Sequence, residues 1–197
     1  MEQNKQTFPS EEVTLPSKGI LYPEGHPFSN GTIEMKYMTA KEEDILSNQS
    51  FIKNGVVLDK LFRALIVTPC DYNDLLLCDK NAIMIAARIL GYGSEYTFEY
   101  KEQEVTIDLS EIEDREFDSS LITNKDNPNE FEYTLPFSKK ALTFKILNHG
   151  DDQKINKELE GLKKMNKNAA SNITTRLKHQ ITSIDGNREQ KDIRSFI

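Results

Sequence analysis

The chain has 197 residues, of which 37% are hydrophobic and 29% charged, and its formal net charge is −7. This length allows one large domain or a domain with appendages. The lean apolar share leaves part of the chain extended or waiting for a partner, and the negative charge argues against a protein built mainly to grip phosphate backbones. No stretch holds the roughly 20 apolar residues of a membrane-spanning helix, and the first residues, Met-Glu-Gln-Asn-Lys-Gln, lack the apolar core of a secretory signal.

Residues 1–31 carry Pro9, Pro16, Pro23 and Pro27 with Gly19, Gly25 and Gly31, which forbids helix and predicts an extended arm with turns. Val13, Leu15, Ile20, Leu21, Tyr22 and Phe28 are spaced along it, so the arm is expected to lie on a surface, its own or a partner's. The alternation over 32–38 predicts a strand. Thr39 and Glu42 form a capping box that opens a helix ending near Ser47-Asn48. Gly55 interrupts, and Val57, Leu58, Leu61, Phe62, Leu65 and Ile66 give an amphipathic helix that stops before Pro69. Residues 80–90, with Asp79 as N-cap and Gly91 as stop, read as a central core helix apolar around most of its girth, with Arg88 at its rim or paired.

Two hairpins follow, 96–100 with 105–109 and 131–135 with 141–147, separated by an acidic stretch and a loop. From 151 the composition turns polar. Ile155, Leu159, Leu162 and Met165 form a narrow seam suited to a coiled-coil-like contact, and the helical spacing continues through Ile173, Leu177, Ile181 and Ile184. A short last helix carries Ile193, Phe196 and Ile197. The expected fold is α+β: a small helical core, two antiparallel β-hairpins, an extended N-terminal arm and a helical C-terminal region. The expected division is an arm at 1–31, a core domain at 32–150 and a helical region at 151–197.

No catalytic constellation emerges. His26, His149 and His179 fall in different elements and are expected at the surface or in loops, while Cys70 and Cys78 read as small buried thiols without metal-ligand spacing. Glu42, Glu43 and Asp44 sit where acidic groups favourably meet a helix dipole. Gly91-Tyr-Gly93 follows a helix instead of preceding one, so it is misplaced for a phosphate cradle. No cofactor or metal is expected, and the chain is read as a non-enzyme. Lys154, Lys157, Lys163, Lys164, Lys167, Arg176 and Lys178 support an alternative, a nucleic-acid-associated factor, although acidic residues are mixed among them.

Several blocks in order carry a resemblance. They are Leu15-Pro-Ser-Lys-Gly-Ile-Leu-Tyr-Pro23, Met38-Thr-Ala-Lys-Glu-Glu-Asp-Ile-Leu46, Asp79-Lys-Asn-Ala-Ile with Arg88-Ile-Leu-Gly-Tyr-Gly-Ser-Glu-Tyr96, Leu135-Pro-Phe-Ser through Leu147, and Thr175-Arg-Leu through Asn187. Over about 15–187 the chain resembles the T-even bacteriophage baseplate protein family. The resemblance implies a baseplate hub subunit or hub-assembly chaperone that binds other tail proteins in the cytoplasm of an infected bacterium, with a place in the virion baseplate left open. The chain departs from the family at 101–104, where Lys-Glu-Gln-Glu stands in place of a Cys-x-x-Cys pair, and it is expected to be short at its C-terminus. The residues expected to touch partners are Leu15, Pro16, Lys18 and Tyr22 in the arm and Ile155, Leu159, Leu162 and Met165 in the seam.

Overall fold

Among the described residues every sheet is antiparallel, and groups of helices alternate with strands along the sequence, which makes the fold α+β. The computed structural model describes residues 8–115, 117–165 and 172–197. Contacts divide the chain into two units, each assembled from separate segments. One comprises Met1–Gly19, Asn30–Cys70 and Cys78–Glu116, and the other Ile20–Ser29, Asp71–Leu77 and Phe117–Ile197. The expected boundaries at 31 and 150 give way to this interleaved arrangement.

In the first unit the arm is a strand. β1 (Ser10–Thr14) pairs with β2 (Thr32–Lys36), Val13 opposite Ile33. Alternation in β2 turns Ile33 and Met35 inward, where both are buried. The turn after β1 closes on Gly31, whose carbonyl accepts from Leu15 N at 2.8 Å. Gly31 has φ +77°, and a Cβ there would stand 2.7 Å from the Lys18 backbone, so only glycine fits.

The capping box forms as expected. Thr39 N donates to Glu42 Oε2 at 3.0 Å and opens α1 (Ala40–Ser47), and the buried Glu42 also holds Lys36 Nζ at 2.8 Å. Asn48 then caps a short α2 (Gln49–Lys53) that periodicity did not reveal, because five residues carry no stripe. α3 (Val57–Leu65) buries Leu61, Phe62 and Leu65, as its pattern required.

The central helix, α4 (Leu77–Tyr92), starts earlier than expected. Asp79 is not its N-cap but lies within the first turn, fully buried. Nor is the helix enclosed: only Asp79, Ile83 and Ala87 are buried, while Met84 is 44% exposed. Gly93, at φ +83°, ends the turn that follows, and its N–H donates to Ile89 O at 2.8 Å. The first hairpin is β3 (Glu95–Tyr100) with β4 (Gln103–Asp108), joined by Lys101 and Glu102, both at positive φ as a two-residue primed turn demands.

In the second unit, Tyr22 Oη accepts from Leu76 N at 3.0 Å, and Leu21, Phe28, Tyr72 and Leu75 are buried beside these positions in the sequence. β5 (Phe131–Thr134) and β6 (Ala141–Phe144) form the expected second hairpin. α5 (His149–Met165) and α6 (Asn172–Gln180) follow, but the helix expected to run through Ile184 ends at Gln180. Ile181–Ile184 is instead β7, a third strand on β6. The final α7 (Gln190–Phe196) lays Ile193 on Ile181 and Ile184, with Leu142, Phe196 and Ile197 around them.

Candidate docking site

Asp79 anchors the site from below. Ser17 donates to its carboxylate twice, from the backbone N–H to Oδ1 at 2.9 Å and from Oγ to Oδ2 at 2.8 Å, so the Leu-Pro-Ser-Lys-Gly turn is stapled to the first turn of α4. Both residues are buried, and Gly19 N donates to Ser17 Oγ at 3.2 Å. This staple sets the end of β1 alongside α4. On the other side lies the segment after β4, where Asp108 accepts from Ser110 N and Oγ at 2.8 and 2.6 Å. Those bonds hold the Asp108 carboxyl below the usual carboxylate range, the Ser110 hydroxyl acting most strongly.

Between the two runs a groove of about 270 Å³. Its floor is the second apolar stripe of α4, Ala82, Ile85 and Ile89, and its walls include Val13, Pro16 and Ile112. Ile112 is 51% exposed and the α4 residues are half-buried, so apolar side chains remain open to solvent in a concave place. The groove can seat apolar side chains. Thr14, Asn81, Ser110 and Asp114 supply its polar lining, and among the described residues no group of three His, Cys, Asp or Glu is placed to hold a metal ion. Beside it, burial pushes the Cys78 thiol up to about 12, with the Asp79 charge adding to the shift, so this sulfur stays a protonated thiol at neutral pH.

A larger concavity of about 570 Å³ opens at the start of α5, in the second unit. Its lining is polar, with Asp74, Asn148, Lys154 and Lys157, and Lys145 Nζ sits 2.6 Å from Asp151 Oδ2. Volume alone does not make it the better site, because the residues that line it include no aliphatic or aromatic side chain.

The structure separates the expected contact residues. Leu15, Tyr22 and Ile155 are corrected to core: they are at most 6% exposed and their side chains are occupied by the chain itself. Pro16 lines the groove and Lys18 is exposed on the turn. In the seam of α5, Leu159 and Leu162 are half-buried and Met165 is 87% exposed. Leu15, Pro16 and Lys18 belong to the first unit, whereas Tyr22 and the seam residues belong to the second. Sequence reading missed Ile85 and Ile89 by assigning all of α4 to the core. The available signal was an apolar girth wider than one buried stripe can use.

The histidines also shift. His149 is 1% exposed, packs its ring 4.5 Å from Tyr72 and meets Gln153 through Nε2 at 3.0 Å, so it is a core histidine and not a loop one. His26 stacks on Tyr22 at 4.9 Å, and His179 Nε2 lies 3.0 Å from Glu158 Oε2. Among the cations considered for nucleic acid, Arg176 lies 3.3 Å from Asp152 and Lys178 lies 3.7 Å from Glu158. Lys167 falls outside the described residues.

No helix among the described residues is long and apolar enough to cross a membrane. Compared with family models, curated proteins and solved structures, the chain finds no match.

Proposed function

We propose that the chain is a non-enzymatic assembly protein of a contractile phage tail, a baseplate hub subunit or hub-assembly chaperone that works by protein–protein contact. The resemblance over 15–187 supplies the biological setting, including assembly in the infected cell's cytoplasm. One observation carries the physical part of the reading: the open apolar groove on α4, walled by Val13, Pro16 and Ile112. A concave apolar strip that the chain does not fill is suited to the side chains of another tail component.

Co-expression with the tail hub proteins, followed by sizing chromatography, tests the proposal. Wild-type chain is expected to co-elute with one of them. Ile89→Asp places a charge on the groove floor and should abolish co-elution, while circular dichroism still reports a folded chain. Co-elution that survives Ile89→Asp in a folded chain refutes the groove as the contact.

A further inference from the structure

The β3–β4 ribbon has two unlike faces. Register puts Glu95 opposite Asp108, Thr97 opposite Thr106 and Glu99 opposite Glu104 on one face. The other face pairs Tyr96 with Ile107, Phe98 with Val105 and Tyr100 with Gln103. Carboxylates directly across a ladder repel, and an isolated two-stranded ribbon is marginal in water, so this element spends stability on its acidic face. Its aromatic face stays open: Tyr96 is 42% and Tyr100 58% exposed. The root is held by Arg88, which donates to Gly93 O at 2.9 Å and Glu95 O at 3.2 Å and lies over the rings of Tyr92 and Tyr96.

The phase of the ladder shows which backbone groups remain open. Leu109 N donates to Ser94 O at 2.9 Å, so Tyr96 and Phe98 bond inward to β4, and Thr97 and Glu99 turn their N–H and C=O groups to the outer edge. By the same alternation Glu104 and Thr106 face outward from β4. No other strand among the described residues pairs with either edge. Charge selects what fits there. The first unit carries eighteen acidic against eleven basic side chains, whereas the second carries fourteen of each. Nine of those eighteen carboxylates lie between 95 and 116, where the basic residues are Lys101 and Arg115.

We propose that an open edge of this ribbon takes an extended segment of a partner protein in which Lys or Arg alternates with apolar residues. A strand added to either edge sends alternate side chains to opposite faces. Its cations then meet Glu95, Glu99, Glu104 and Asp108, while its apolar residues cover Tyr96, Phe98 and Tyr100. A second copy of the same acidic ribbon is the wrong occupant, because it would bring carboxylates onto carboxylates.

The inference rests on reading the chain as a docking protein, but the two fail separately. The probe is a synthetic peptide, Lys-Val-Lys-Phe-Lys-Val-Lys-Tyr, compared with an isomer that groups its four lysines at one end. The full chain should bind the alternating peptide roughly tenfold more tightly than the isomer, with affinity falling as salt rises. Amide exchange should slow at Thr97 and Glu99, or at Glu104 and Thr106. Glu99→Lys with Glu104→Lys should weaken the binding by a similar factor.

Equal affinity for the two isomers, or no slowing at either edge, overturns the proposal whether or not the double variant folds. Self-association through the ribbon overturns it as well. If the peptide results fail while Ile89→Asp still blocks co-elution, only the ribbon inference falls.

Discussion

Replacing Asp79 by alanine strands the two donors of Ser17 in a place that water does not reach. A buried hydrogen bond to a charged acceptor is worth about 1.5–3 kcal/mol, and two share this carboxylate, so Asp79→Ala should cost about 3 kcal/mol. For a chain of this size that corresponds to a fall in melting temperature on the order of 10 °C. Asp79→Asn keeps one oxygen acceptor and should lose less. Melting curves decide it: an alanine variant within about 1 kcal/mol of wild type shows that the staple is incidental. The sequence offered Asp79 as an N-cap because aspartate before a run of helix formers ordinarily is one. Its use as an acceptor for a turn sixty-two residues away depends on tertiary placement, which local spacing does not encode.

Among the elements, those with a full stripe or a clean alternation were legible: α3, β2 and both hairpins. β7 was misread for a physical reason. Ile181 and Ile184 are three apart, which is a helical spacing, yet they lie opposite Phe144 and Leu142 on one face of the sheet. The register shift beside Thr143 leaves Thr182 as an extra residue, so an odd spacing can serve one face of a strand. The groove was illegible for a related reason, since the apolar pattern of α4 states that Ile85 and Ile89 want cover without saying whose.

The sheet of β5, β6 and β7 is tied off by Glu130, which accepts from Thr182 Oγ1 at 2.8 Å and from Arg188 at 2.8 and 3.0 Å. The Arg188 hydrogen bond is the leading cause that holds the Glu130 carboxyl below its ordinary range, against burial, which alone would raise it. A depressed folded pKa contributes stability that is complete above the unfolded value of about 4.3 and is lost as pH falls through the lower folded value. Glu130→Gln should therefore melt below wild type at pH 7, with the gap shrinking as pH falls below the unfolded value and through the lower folded one. Melts across this range check the sign, and a gap that stays constant with pH would assign the loss to packing instead of charge.

At the scale of the whole molecule, the arm expected at 1–31 turns out to be structural material for both units. Its first part supplies β1, Leu15 and the Ser17 donors to one unit. Its second part supplies Leu21, Tyr22 and Phe28 to the other, all of them buried. Pro and Gly spacing correctly forbade helix here, but it could not tell an arm that lies on a surface from one that completes two cores. That difference predicts the outcome of trimming. Burying a large apolar side chain is worth about 1.5–3 kcal/mol, and Leu15, Leu21, Tyr22 and Phe28 together rival the 5–15 kcal/mol that holds an ordinary domain folded. A chain beginning at residue 32 should therefore show no cooperative thermal transition and no dispersed amide resonances in either unit. If it melts cooperatively, the segment is an appendage after all, and its buried side chains only cover cores that stand without them.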